Sequence, residues 1–223
     1  MADETKAFEP TDRTRVRRSH ERAAYDRQTV YDILDSGLIC HVGYNIDSKP
    51  FVTSTAYWRE GDRVVWHGSS ASRMIRAIEG GIPVCFNLSL WDGFVLARSG
   101  FHSSMNYRSV VIYGEAEKIE GWEAKEASLK MFVDRIWPGH WDKLRPINKQ
   151  EMKATTLLSL PIEEAVAKVR TGPPVDDEED YDLDVWAGVL PIRQSFGPPE
   201  PDPRLKPGIE APDFLKNFRL DRG

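Results

Sequence analysis

The sequence predicts a mainly β, antiparallel, barrel-like body decorated with peripheral helices. Three observations lead there. About seven segments are rich in β-branched and aromatic residues and have strand length. Turn signals built from Gly, Pro, Asp and Ser separate them, and no βαβα alternation of the kind that makes a parallel sheet is present.

The elements follow in order. Residues 1–24 are polar and arginine-rich, with Arg13, Arg15, Arg17, Arg18 and Arg22 clustered. They read as a solvated arm, or as one lying over a subunit edge or an anionic ligand. In DRQTVYDILDSG, Val30, Ile33 and Leu34 share a helical face, Asp26 is an N-cap candidate and Gly37 a stop. Segments 38–45, 51–59 and 63–68 are extended, joined by the turns IDSKP and EGD into an antiparallel meander. Pro50 opens the second strand, where its missing N–H does least harm. SASRMIRAIEGG is a helix with Met74, Ile75 and Ile78 apolar and a glycine pair at its end. Segments 82–91 and 93–99 are two further strands, and 105–119 is a long one. GWEAKEASLKMFVDRIW is an amphipathic helix stopped by Pro138; 155–162 is a strand, and IEEAVAKVR, 162–170, is a helix. After Thr171 the chain turns acidic and proline-marked, with one apolar return at VWAGVLPI. The expected organisation is an arm at 1–24, a barrel at 25–170, and an extension at 171–223. Because Trp186, Phe214 and Phe218 are costly to expose, that extension is expected to pack on the barrel or on a partner subunit.

Composition narrows the class. The chain has 223 residues, 40% of them hydrophobic, seven tryptophans and a net charge of −5, so a globular protein with a sizeable core is expected and a general nucleic-acid binder is not. No apolar run approaches the roughly 20 residues that cross a bilayer. MADETKAFEP lacks the basic-then-apolar order of a signal peptide, so a cytoplasmic location is expected. Cys40 and Cys85 lie in apolar runs and read as buried thiols, with no metal-ligand spacing.

The stretch WHGSSASRMIRAIEGG suits an anion. A helix start offers unpaired N–H groups, serine hydroxyls can add donors, and Arg73 can add a charge-assisted fork. The plainer reading is that Ser70 or Ser72 caps the helix and Arg73 faces water. Gly-x-Gly-x-x-Gly after a strand, a Walker lysine loop, His-Glu-x-x-His, Cys-x-x-Cys and Gly-x-Ser-x-Gly are all missing, which removes the usual nucleotide, zinc, redox-thiol and hydrolase signatures.

The motifs YDRQTVYDILDSGLICHVGY, WHGSSASRM, DGFVLARSGFHSSMNYRSVVIYGEA and KVRTGPPVDDEED with VWAGVLP resemble the FMN-binding split-barrel family related to pyridoxamine 5′-phosphate oxidase. Within it the chain is most similar to the flavin-nucleotide-binding branch near the nitroimidazole-resistance proteins, over residues 13–195. The resemblance implies flavin along Val52, Thr53, Ser54 and Thr55, held by main-chain groups. It implies a phosphate grip by Ser72 and Arg73, with His67, Gly68 and Ser69 lining the approach and Met74 standing where many relatives carry lysine. It also implies that Tyr107, Arg108 and Ser109 reach the flavin of the opposite subunit, and hence a two-fold homodimer with cofactor sites at its interface. For Arg108 the alternative is a salt bridge on a strand face.

The pyridoxamine phosphate activity itself is not expected, because the C-terminal Trp-Gln-Gly and Arg-Leu-His pattern is missing. What remains is an FMN-dependent oxidoreductase with NADH or NADPH as reductant and an unidentified small acceptor. The alternatives are a non-catalytic flavin or haem binder, a deazaflavin in place of FMN, and a plain dimeric scaffold. Of the histidines, His41 reads as a core or interface residue or as a contact on the substrate side. His67 reads as a neighbour of the phosphate loop, and His102 as solvated, a proton donor or a haem ligand; none is assigned as catalytic base.

Overall fold

A two-residue hairpin sets the register of the barrel. Asp47 and Ser48 take φ of 50° and 62°, the left-handed pair that matches strand twist, and so place Ile46 opposite Lys49 and Ile39 opposite Ala56. The computed structural model describes residues 7–216 and 218. Its strands are β1 (Ala23–Ala24), β2 (Ile39–Ile46), β3 (Lys49–Glu60), β4 (Arg63–Ser69), β5 (Pro83–Leu96), β6 (Ser104–Glu115), β7 (Glu117–Lys118), β8 (Thr155–Pro161), β9 (Glu164–Arg170) and β10 (Gly188–Pro191). The helices are α1 (Arg27–Asp35), α2 (Arg73–Glu79), α3 (Trp122–Ile136), α4 (Lys149–Ala154) and α5 (Asp213–Lys216).

Two sheets share strands. In the first, β1, β9, β6, β5, β2 and the start of β3 lie side by side; in the second, the end of β3 leads through β4 and β8 to β7. β3 crosses between them at Ala56 and Tyr57, and the chain crosses again at buried Ala116, between β6 and β7. These corners close a split barrel around Tyr57, Trp66, Phe86, Ile112 and Leu160, all fully buried. Leu34 of α1 and Ile75 and Ile78 of α2 plug its openings. On the other side of β4, a smaller apolar layer of Trp58, Val65, Leu129 and Leu157 packs under α3.

The helix starts follow local chemistry. Asp26 accepts the Thr29 N–H at 2.8 Å, as expected of an N-cap, and the negative charge is favoured there, so its pKa lies below the ordinary carboxylate value. Asn148 and Glu151 form a capping box at α4.

Several expectations change. IEEAVAKVR is not a helix: from Glu164 it is strand β9, paired along its whole length with β6 and, at Ala167 and Lys168, with β1. Ala165, Ala167 and Val169 turn toward the core, and that two-residue alternation wins once β6 and β1 supply hydrogen bonds on both sides. Segments 82–91 and 93–99 are one strand, β5, with a bulge at Asp92. The Arg108 guanidinium donates two 3.0 Å hydrogen bonds to the Asp92 carboxylate. At that bulge β5 changes neighbour, from β2 at Val84–Asn87 to β10 at Gly93–Leu96. A Cβ on Gly93 would lie 2.8 Å from the Leu190 carbonyl oxygen, so this approach needs glycine.

The arm is solvated only in part: Arg13, Arg15, Arg17 and Arg18 are exposed, but other residues tie it to the barrel. Phe8 and Thr14 are buried, Arg13 pairs with Glu164, and the Tyr25 hydroxyl donates to the Thr14 carbonyl at 2.9 Å. The tail runs extended from Arg193, with Phe214 against Trp137 and Phe196 against Phe218, while Trp186 stays 69% exposed. Residues 1–6, 217 and 219–223 of the arm and tail lie outside the described residues. Both cysteines are free thiols: burial pushes Cys40 up to about 12, whereas Cys85 is only partly buried. Among the described residues no helix is long and apolar enough to cross a membrane.

Candidate functional site

The split between β3 and β4 creates the site. The two strands pair only where Tyr57–Glu60 meet Arg63–Trp66. Before that point β3 has β2 on one side and, among the described residues, no strand on the other, while β4 runs on beside β8. Val52, Thr53, Ser54 and Thr55 therefore lie on an open edge, whose backbone groups can serve a ligand as they would a further strand. Val52 and Ser54 project outward, Val52 with 70% exposure. Thr53 turns inward, its Oγ1 3.2 Å from the Tyr44 hydroxyl.

The serine loop ends β4 and starts α2 beside this edge. Ser69 Oγ accepts the Ala71 N–H at 3.2 Å and shapes the turn; Ser70 Oγ donates to the Lys153 carbonyl at 3.1 Å and ties the loop to α4. Ser72 is the N-cap residue, yet its side chain caps no N–H, so its hydroxyl is not spent on the helix. The Arg73 guanidinium lies 5.0 Å over the Phe51 ring, which carries a positive charge to the start of the open edge. A Cβ on Gly68 would meet Ile75 at 3.0 Å, so α2 sits tightly on the strand end. Met74 points into the main core.

The remaining expected residues lie elsewhere. Arg108 holds Asp92, and Ser109 Oγ donates to the Lys168 carbonyl at 3.4 Å, on β6, three strands from the open edge. Within one chain they do not join Val52–Arg73.

On β4 the side chains alternate, with Val64 and Trp66 in the main core and Val65 and His67 toward α3. The His67 ring lies 5.9 Å from Trp58 and 5.4 Å from Phe132, its Nδ1 is buried without a hydrogen-bond partner, and burial lowers its pKa. One other histidine among the described residues shares the orphaned Nδ1: His140, stacked on Trp137 at 3.7 Å and 2°. Sequence reasoning missed it. Its only signal is position, between Trp137 and Trp141, with Trp141 packing on the same layer under α3. His41 is exposed rather than in the core, because Cys40 and Val42 take the inward positions of β2. It lines a cavity of about 500 Å³ with Ile39, Leu88, Leu90, Gln194 and Phe196. His102 is not simply solvated; its Nε2 is 3.2 Å from Asp177 Oδ2.

Comparison with known proteins gives the family. The pyridoxamine 5′-phosphate oxidase family profile matches residues 26–169. The flavocytochrome Anf3 of Azotobacter vinelandii is 50% identical, with a TM-score of 0.90 over 96% of this chain and 99% of that one. An FAD and haem binding protein of Mycobacterium smegmatis is 33% identical, with a TM-score of 0.84 over 88% and 96%. A Bacteroides thetaiotaomicron protein described as a candidate 5-nitroimidazole antibiotic resistance protein shares the fold at 22% identity, with a TM-score of 0.54 over 66% and 86%. No curated protein matches the chain significantly. The chain belongs to the pyridoxamine 5′-phosphate oxidase-like family of split barrels.

Proposed function

We propose that this chain is a flavin-dependent redox protein that also holds haem. The observation that carries the flavin reading is Arg73 lying over Phe51 at the start of the open edge Val52–Thr55: a cation and a row of free main-chain groups meet where a phosphate-tailed ring needs both. Ser72 and Arg73 would hold the phosphate and the β3 edge the ring. The name of the mycobacterial relative favours FAD, while the sequence resemblance favours FMN; the flavin released on denaturation tells them from each other and from a deazaflavin.

The layer under α3 would be the place to hold haem. His67 and His140 each have a ring nitrogen buried without a partner, and Trp58, Phe132 and Trp141 supply an aromatic lining. Burial keeps the His67 imidazole neutral near pH 7, the form that ligates a metal. When bound, a flavin supplies hydride and single-electron transfer and haem iron supplies one-electron chemistry. The chain's part is to neutralise the phosphate charge, orient the ring and keep water from the aromatic layer.

Two further elements complete the reading. The first sheet exposes Ile39, Val52, Trp91 and Met105, an apolar face that a second copy would cover, giving a homodimer with shared cofactor clefts. NADH or NADPH is the reductant and a small molecule the acceptor. The test is the visible spectrum of freshly purified protein, followed by anaerobic addition of NADH or NADPH. Flavin bands with a Soret band, bleached by the reductant and restored by an acceptor, are expected; His67→Ala or His140→Ala should lose the Soret band and keep the flavin. A colourless, folded protein that takes up neither added flavin nor haem would overturn the proposal.

A further inference from the structure

The connection between α3 and α4, residues 137–148, borders a cleft of about 330 Å³. Trp141, Leu144, Arg145, Ile147 and Glu151 line it, and none of them belongs to the first sheet. Trp141 and Ile147 also pack against the layer under α3, so the cleft shares a wall with that layer. Leu144 is the exposed part of its apolar lining.

One border of the cleft already holds a carboxylate. The Arg145 guanidinium donates to both oxygens of Glu151, through Nη1 at 2.9 Å and through Nη2. A planar fork of this kind matches any carboxylate that reaches it. Glu151 does not depend on Arg145 for its place, because it also accepts the Asn148 N–H at 3.0 Å in the capping box of α4. Both side chains are exposed, and an ion pair so open to water is weakly held. Arg145 can therefore exchange this carboxylate for another at little cost. A second cation stands two residues earlier: the Lys143 ammonium lies 5.5 Å over the ring of Trp137, the same ring on which His140 stacks.

We infer that Arg145 anchors one propionate of haem and Lys143 the other. The inference rests on the haem reading above and deepens it, from the layer that would hold the ring to the side chains that would hold its acid edge. Haem is a flat apolar ring with two carboxylates on one side, so it needs an apolar seat bordered by cations on that side alone. Residues 140–147 combine the parts: the orphaned Nδ1 of His140, the apolar side chains of Trp141, Leu144 and Ile147, and the charges of Lys143 and Arg145. An inorganic anion would leave the apolar walls unused, and a neutral ring would leave the fork unused.

The full-length protein, freed of haem, is titrated with haemin and with haemin dimethyl ester, whose propionates are neutral, and the Soret band reads the binding. The wild type should hold haemin about tenfold more tightly than the ester, the lower end of what hydrogen bonds to charged groups contribute. Arg145→Gln should raise the Kd for haemin by about the same factor, and Lys143→Gln by less, since an ammonium lacks the fork. Neither should alter the Kd for the ester or the melting temperature. Arg145→Lys, which keeps the charge and loses the fork, should fall between wild type and Arg145→Gln. Equal losses of haemin and ester in Arg145→Gln would make the residue a structural one and end the inference. Equal affinity of the wild type for the two ligands would end it as well, and that comparison needs no variant to fold. A folded wild type that develops no Soret band with haemin would sink the haem reading, and this inference with it; a Soret band that neither esterification nor Arg145→Gln weakens sinks this inference alone.

Discussion

In the main core Tyr57, Trp66 and Phe86 are fully enclosed by both sheets, α1 and α2, whereas the layer under α3 encloses Trp58, Val65, Leu129 and Leu157 and leaves Phe132, Trp141 and Ile147 partly open. The polar atoms differ as well. The main core has one orphaned indole nitrogen, of Trp66, while His67 and His140, each with an orphaned ring nitrogen, stand beside the aromatics of the α3 side. Closure around groups that burial keeps protonated, such as Cys40 and Tyr57, suits a framework, and an imperfect layer with two orphaned ring nitrogens suits a ligand. Stability is concentrated in the barrel, and the proposed ligand chemistry lies along the borders of β3 and β4.

The sharpest way to break that contrast is to truncate an aromatic in each layer. Trp66→Ala should cost about 3–5 kcal/mol, the range for large buried aromatics, and Phe132→Ala less than half as much, since its ring is already partly exposed. Urea unfolding measures both; equal losses would erase the distinction. Next in size, Arg73→Ala should weaken flavin binding by about 1.5–3 kcal/mol, the range for hydrogen bonds to charged groups, and leave the urea midpoint unchanged because Arg73 is exposed. Unchanged affinity in the folded variant would remove Arg73 from the site.

A pH series separates the layers further. Burial lowers the His67 pKa below the ordinary value of 6.5. The unfolded chain therefore binds the proton first, so the contribution of this group is intact above pH 6.5 and declines as pH falls through that value, until the native form also protonates. His67→Gln should flatten the stability profile across that window; a profile with the same slope would exclude the histidine as its source. The smallest effect is expected at α4. Asn148→Ala removes one side of the capping box and should cost about 1 kcal/mol. Its other side, Glu151, is held at about 2, first by Arg145 and then by the Asn148 N–H, so this cap should persist in acid well below the pH at which His67 begins to matter.

Much of the fold was legible because local chemistry and tertiary position agree. Asp26 caps where its spacing to Val30 and Leu34 predicts, and Met74, Ile75 and Ile78 bury on one face as their periodicity requires. The errors fall where local and long-range signals diverge. In EAVAKVR the alanines suit a helix as well as a strand, and only distant partners on β6 and β1 decide. Asp92-Gly93 looks like a turn between strands, but Arg108 and β10 hold the chain straight through it.

The site divides in the same way. The position of Ser72 and Arg73 at the start of α2 was readable from the strand-to-helix change, whereas the unpaired side of Val52–Thr55 was not, because it depends on where β4 leaves β3. His140 was not readable, because its meaning depends on Trp137 and on the packing of α3 rather than on any spacing in the chain.

The unzipped side of β3 has a consequence for how the protein is handled. Hydrogen-bonding groups that await a small molecule will also accept a neighbour's backbone, and Val52, at 70% exposure, adds grease to that contact. On the proposed function, colloidal behaviour and vitamin supply are linked through four residues: a preparation starved of riboflavin should present this seam, and one well fed should hide it.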